Sequence, residues 1–457
     1  MKVVSSRIFA HWLCFLVALS ALAYGGVAEL PFLFLAFLTF STSTAAFFIM
    51  PRGAETRTLW LLFIITCTLA AAAYSQSLDI STFATLGSPS ESFEGIRQKW
   101  ISVSPGATDL AILRLLLPVA IFFLFCAAAS TGDDSALRLL RVLGSWGAAI
   151  VIASLIQYFV DPHHVVLEDK LHYKESLTGP FVNRNNAAAY LGLVLQILLA
   201  RMLYGQRVDP SGRSISRWVT PALFALGTFA LLLTKSRAGI AAAIFGCLLM
   251  TTLLRAYSSG RRARQTRGVL HPSLVTASVI FLSVVLFGQG AIVRLTTEKF
   301  GDSRLCTYES VLTGIMADAN FWVGTGFGAF RSAFPQYRSA DCGINGVWDR
   351  AHNSFLEGTF GLGAIFLVVL VGVVWILCRT YVRGLKFRRR FRPFAALGLS
   401  TMFALLAHSL VDFPLQIPGI NNLFAAVAGI AFGISCRNKG NIGSGAILGH
   451  TPPGQRT

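Results

Sequence analysis

The stretch TGPFVNRNNAAAYLGLVLQILLARMLY, residues 178–204, decides the fold. Its apolar part has the length an α-helix needs to cross a hydrocarbon core. Arg184-Asn185 stands at its entry. A helix N-terminus already carries partial positive charge, so an arginine there is unfavourable for the helix alone. The arrangement recurs. Ser236-Arg237 precedes the apolar run 238–254, and His352-Asn353 precedes 354–378. All three entries fall on the same face of the expected membrane. A base or cation repeated at helix starts on one face suggests a site for a strongly anionic ligand such as a diphosphate.

Apolar runs of spanning length recur along the whole chain. They are 8–24, 30–50, 58–74, 109–129, 140–160, 185–204, 218–233, 237–254, 273–293, 354–378, 394–411 and 419–436. With 54% hydrophobic and 13% charged residues and a mean hydropathy of +0.62, the chain is too apolar for a soluble protein of 457 residues. The expectation is an all-α integral membrane protein of about twelve transmembrane helices, with a long outer loop between spans 9 and 10. Residues 1–436 form the membrane domain. The tail 437–457, rich in Gly, Asn and Pro, is expected to be disordered and cytoplasmic. Lys2, Arg7 and the small residues Ala21-Leu22-Ala23 leave a cleaved leader as a second reading of the first run.

The net charge of +18 invites a nucleic-acid reading, but its distribution argues otherwise. With the N-terminus inside, the basic residues concentrate in inner segments, above all 255–267 and 379–392 with Arg388-Arg389-Arg390. The outer segments are slightly acidic. The positive-inside rule accounts for this bias, and the basic runs serve orientation and lipid headgroups. No nucleic-acid partner is expected.

Of the eight cysteines, Cys14, Cys67, Cys126, Cys247, Cys378 and Cys436 sit in or beside spans, with no metal-ligand spacing. Cys306 and Cys342 share the longest outer loop, residues 294–351. There they form a disulfide or stay as two free thiols. In the same loop, Leu305, Tyr308, Leu312, Ile315 and Met316 are spaced for a helix lying on the membrane surface. Asp302 or Ser303 would cap it and place Arg304 in its first turn.

His352 is the sharpest chemical candidate. Ser354-Phe355-Leu356-Glu357 reads as a capping box opening the tenth span, which leaves His352-Asn353 just outside it. An imidazole there can take a proton from a hydroxyl near neutral pH. Glu357 is read as the capping partner. Lys235 and Arg237 share a very short outer connection, where they repel each other unless an anion lies between them. Lipid snorkelling is the alternative for these cations. His408 and Asp412, four apart at the end of the eleventh span, are expected to pair on one helix face. Gly324-Thr325-Gly326-Phe327-Gly328 lacks the βαβ setting of a nucleotide loop and reads as a tight turn, with Phe327 and Phe330 anchoring to the interface. Gly361 and Gly363 would allow close helix approach. His163, His164 and His172 lack a metal-binding helix spacing. No metal and no cofactor are expected.

These segments together resemble the O-antigen ligase and polymerase superfamily. Thr178-Gly179-Pro180-Phe181-Val182-Asn183-Arg184-Asn185-Asn186 is similar to its Asn-x-Asn segment. Thr234-Lys235-Ser236-Arg237-Ala238-Gly239, Ser303-Arg304, the glycine run at 324–328 and His408-Ser409-Leu410-Val411-Asp412-Phe413 also fit. Ala351-His352-Asn353-Ser354-Phe355-Leu356-Glu357 is the strongest match. The resemblance covers about residues 178–418, including the loop 294–351.

The resemblance implies a bacterial inner-membrane glycosyltransferase with a periplasmic site, independent of metal and with both termini cytoplasmic. The donor would be an undecaprenyl-diphosphate-linked glycan, and the acceptor lipid A-core or a growing polysaccharide. His352 would be the catalytic base. Arg237 and Arg304, helped by Lys235 and Arg184, would hold the diphosphate. Asn353, Asn185, His408 and Asp412 would support the site. A ligase is the expectation, and a polymerase extending lipid-linked repeats is the alternative. A protein O-oligosaccharyltransferase or a lipid-linked sugar transporter comes after these, since most charges fall at span ends rather than near the bilayer midplane.

Overall fold

The computed structural model describes residues 7–49, 56–79, 101–166, 168–208, 216–257, 302–317, 320–340 and 346–437. The protein is an all-α membrane protein. Its principal helices are α1 (Arg7–Leu22), α2 (Glu29–Ile49), α3 (Thr56–Ser77), α4 (Pro105–Ser130), α5 (Asp133–Val160), α6 (Arg184–Val208), α7 (Ser216–Leu233) and α8 (Arg237–Ala256). They are followed by α9 (Asp302–Met316), α10 (Ser354–Leu362), α11 (Ala364–Phe387), α12 (Arg392–Ser409) and α13 (Pro418–Cys436). Short helical turns and a small antiparallel hairpin, β1 (His164–Val165) with β2 (Glu168–Asp169), complete the described elements.

Among the described residues, eight helices are long and apolar enough to cross a membrane, and α1 and α7 are shorter apolar helices. The expected ninth span, 273–293, lies outside the described residues, as do residues 438–457 of the tail and Cys342.

Burial separates central from peripheral helices. In the apolar windows of α13 and α6, 89% and 83% of residues are buried, against 17% in α3. The outer helices α2, α3 and α11 therefore turn Phe34, Phe37, Trp60, Val368 and Trp375 outward, as lipid contact requires. At the centre, α13 packs along α4. The contact is close because Gly429 and Gly433 are four apart on α13. A Cβ on either would meet the carbonyl oxygens of Phe122 at 2.4 Å and Cys126 at 2.7 Å. This is the small-xxx-small contact by which backbones approach in a bilayer. Helix α12 packs on α6, α8, α11 and α13, so its position is set by four neighbours.

The tenth apolar run departs from expectation. It is broken at Gly363, whose backbone (φ 65°, ψ −157°) ends α10 and starts α11. Only glycine reaches that conformation without strain. The uninterrupted hydropathy of 354–378 hides a short helix followed by a separate span. The expected capping box is also absent. Asn353 is the cap, its side chain accepting from the N–H groups of Phe355 and Leu356. Glu357 instead accepts from Arg350 Nη1 at 3.1 Å and Ala351 N at 2.8 Å.

The glycine run 324–328 makes the expected turn, with Ala329 N donating to the Gly326 carbonyl at 3.0 Å, and it also serves packing. Thr325 N and Gly326 N donate to the carbonyls of Phe360 and Gly361. Gln76, buried at the end of α3, donates to the Val323 and Gly361 carbonyls and accepts from Phe327 N. Phe330 is not an interface anchor. It is buried, stacked on Phe334 and set edge-on against Phe360. Gly361 packs against this loop, and Gly363 packs against Phe321 and Trp322 of the short helix Asn320–Val323.

Helix α9 begins at Asp302, as the spacing predicts, with two faces. Leu305, Leu312 and Met316 are exposed, while Val311 and Ile315 are buried in a satellite core with Phe330, Phe334 and Phe360. Cys306 on α9 is disulfide-bonded.

Candidate active site

Three helices begin at the site, and each is capped by the polar residue before it. Asn183 Oδ1 accepts from Asn185 N at 2.8 Å and opens α6. Ser236 Oγ accepts from Gly239 N at 3.2 Å and opens α8. Asn353 opens α10. The polar residues at these helix entries thus include N-caps, which satisfy N–H groups left without intrahelical partners. Arg184 and Arg237 are the first residues of their helices.

The caps connect to one carboxylate. Ser236 Oγ donates to Asn185 Oδ1 at 2.8 Å. Asn185 Nδ2 donates to Asp412 Oδ2. Asp412 Oδ1 lies 3.3 Å from His352 Nδ1 and accepts from Phe413 N at 3.0 Å. Asp412 is 1% exposed and the His352 side chain 26%. A continuous hydrogen-bonded line therefore runs from the start of α8 through α6 to the residue before the α10 cap.

The expected pairing of His408 with Asp412 does not form. Helix α12 ends at Ser409, and the Asp412 N–H closes onto the His408 carbonyl at 3.1 Å. That turn carries the carboxylate off the helix face and toward His352. His408 is buried behind it, with neither ring nitrogen hydrogen-bonded among the described residues.

Electrostatics favours an ionised Asp412. Burial pushes its carboxyl up. The hydrogen bond and charge of His352, with the charges of His408 and Arg304, outweigh burial and hold it below the ordinary carboxylate range. An ionised Asp412 fixes the N–H of His352 on Nδ1 and leaves Nε2 as the acceptor. His352 itself has a left-handed backbone, φ 54°. Tyr308 Oη donates to its carbonyl at 2.8 Å, and the rings of Phe413 and Trp348 lie 5.0 and 6.0 Å from the imidazole. Burial and Asp412, against Arg304, raise the Tyr308 phenol, so it stays a donor.

Three of the four expected cations are chain neighbours of this line, and Arg304 is hydrogen-bonded beside it. Arg304 Nη1 donates to the carbonyl of Val411, next to Asp412, at 2.9 Å. Arg184 precedes Asn185, and its guanidinium lies 5.1 Å from the centre of the Tyr173 ring. Lys235 precedes Ser236 and sits 3.6 Å from Glu175. Arg237 follows Ser236. It is exposed and, among the described residues, forms no hydrogen bond or ion pair. Tyr308 as a support for His352, Ser236 as a link and Gln76 as a clamp were not recognisable beforehand. Tyr308 left a signal through its place in the α9 pattern and Ser236 through its place at a helix entry, whereas Gln76 left none.

Chemically, the arrangement offers an oriented imidazole whose Nε2 is left as acceptor, at one end of a hydrogen-bonded line with cations along it. Residues 222–371 match the family described as O-antigen ligase, a segment that includes Lys235, Arg237, Arg304 and His352. No curated protein matches the chain. Over residues 222–371 the chain is similar to that family, whose members are glycosyltransferase-like membrane enzymes.

Proposed function

We propose that the protein is an inverting membrane glycosyltransferase that moves a glycan from undecaprenyl diphosphate to an acceptor hydroxyl on the periplasmic side. The observation that carries this reading is the Asp412–His352 pair at 3.3 Å, flanked by arginines at helix starts. His352 Nε2 takes the proton of the acceptor hydroxyl. The acceptor oxygen bonds to the anomeric carbon as the bond from that carbon to the phosphate oxygen breaks. The electron pair leaves with the diphosphate. One displacement inverts the centre. Arg237 and Arg304, helped by Lys235 and Arg184, stabilise charge developing on the leaving group. Asn185 and Asn353 hold the geometry.

The disulfide at Cys306 supports a periplasmic site, because such bonds persist in oxidising compartments. The basic inner loops support cytoplasmic termini. On this reading residues 178–418 form the catalytic core of the membrane domain. The preferred acceptor is lipid A-core, which makes the enzyme a ligase, with extension of lipid-linked repeats as the alternative.

The test is a reconstituted assay with a short lipid-linked glycan, run with and without lipid A-core. Glycan on lipid A-core means ligase, and a ladder of longer lipid-linked chains without added acceptor means polymerase. Neither product from folded protein sinks the proposal.

A further inference from the structure

A cleft of about 250 Å³ lies beside the hydrogen-bonded line and is lined by Tyr173, Lys174, Glu175, Ser176, Arg184 and Lys235. Its floor is the turn 173–176, in which Ser176 N donates to the Tyr173 carbonyl. Tyr173 holds a left-handed backbone at φ 59°. Buried Lys170 fixes the turn by donating from Nζ to the Ser176 carbonyl at 3.2 Å. Leu177 N donates to the Leu233 carbonyl at 3.0 Å, which ties the floor to the end of α7. The cleft is therefore built before any ligand arrives.

Its contents are specific. Arg184 enters from the start of α6 and Lys235 from the connection before α8, and each meets a group on the turn. Arg184 meets the Tyr173 ring and Lys235 meets the Glu175 carboxylate. The Lys235–Glu175 pair is largely exposed, with Glu175 at 92%, so water screens it and an arriving phosphate can displace it. Displacement frees a carboxylate that accepts hydrogen bonds from hydroxyls. The volume falls below the ~300–1,000 Å³ usual for drug-sized ligands, so the cleft takes a fragment of a larger molecule. Cations for phosphate beside an aromatic ring and a carboxylate for a polyhydroxyl ring describe one such fragment.

We propose that this cleft is the subsite for the first sugar of the diphosphate-linked donor, with Tyr173 and Glu175 selecting that sugar while Arg184 and Lys235 hold the adjoining phosphate. The proposal rests on the donor reading above and adds where the donor's sugar is recognised.

The test uses full-length protein in nanodiscs. Binding is measured for polyprenyl diphosphate without sugar and for the same lipid diphosphate carrying one hexose. Wild type is expected to prefer the sugar-linked form by about tenfold, a modest increment for one sugar's contacts. Glu175→Gln and Tyr173→Leu are expected to lose that preference. Glu175→Gln should bind the bare diphosphate as well as wild type or better, since a competing carboxylate is gone. Melting temperatures within a few degrees of wild type confirm folding. Two variants that keep the full preference overturn the subsite alone. Wild type that binds neither lipid diphosphate overturns the donor reading itself.

Discussion

The Asp412 carboxylate joins two helices that are far apart in sequence. One oxygen faces His352 Nδ1 at 3.3 Å, and the other accepts from Asn185. The carboxylate is buried and the imidazole half-open, so the pair presents a single free nitrogen, Nε2, outward. Asp412→Asn keeps the shape but offers an amide that can donate to Nδ1, which moves the imidazole proton to Nε2. Turnover is expected to fall by roughly 10²–10⁴-fold with donor KM little changed, as for orienting carboxylates elsewhere. Steady-state kinetics on the reconstituted variant checks this, and a change confined to KM would count against it.

Asp412 also makes stability depend on pH with a defined sign. Its folded carboxyl lies below the ordinary value of about 3.9, so the unfolded chain binds the proton more readily. The stabilisation is fully present above about pH 4 and is lost as pH falls through the lower folded value. Melting curves of wild type should therefore lose stability below pH 4 more steeply than those of Asp412→Asn. Parallel acid limbs would contradict the assignment.

Tyr308 holds His352 in a backbone conformation that a non-glycine residue disfavours. Tyr308→Phe removes one hydroxyl and nothing else. The expected cost is about 1 kcal/mol of stability and roughly a tenfold drop in kcat, with KM unchanged. Thermal unfolding and kinetics measured together separate the effects. Full activity at reduced stability would leave Tyr308 a structural residue only.

Gly363 separates α10 from α11, and a Cβ there would lie 2.6 Å from Trp322 carbonyl atoms. Gly363→Ala is expected to destabilise by about 1–3 kcal/mol through strain and collision. The comparison is its melting temperature with that of Gly372→Ala within α11, where the nearest atom is 3.9 Å away. Equal melting temperatures would mean that the break is not fixed by this residue.

Much of the fold was legible because spanning length and apolarity are one-dimensional properties. The runs at 185–204 and 237–254 correspond closely to α6 and α8. The break at Gly363 was not legible, since apolar residues continue across it and the reason for the bend is Trp322, distant in sequence. Within the site, His352, Asn185 and the cations were legible from their positions at helix starts. The partner of Asp412 was not. The four-residue spacing favours His408 only while the helix continues, and α12 stops at Ser409. Gln76 gave no signal, because a lone glutamine at a helix end looks the same whether it faces solvent or clamps a loop.

The most direct test of the central claim compares wild type with His352→Ala in nanodiscs, measuring both donor binding and glycan transfer from a lipid-linked glycan. The account predicts donor binding close to wild type, because the cations remain, and transfer reduced by roughly 10²-fold or more, because the base is gone. Transfer by His352→Ala at the wild-type rate would contradict it.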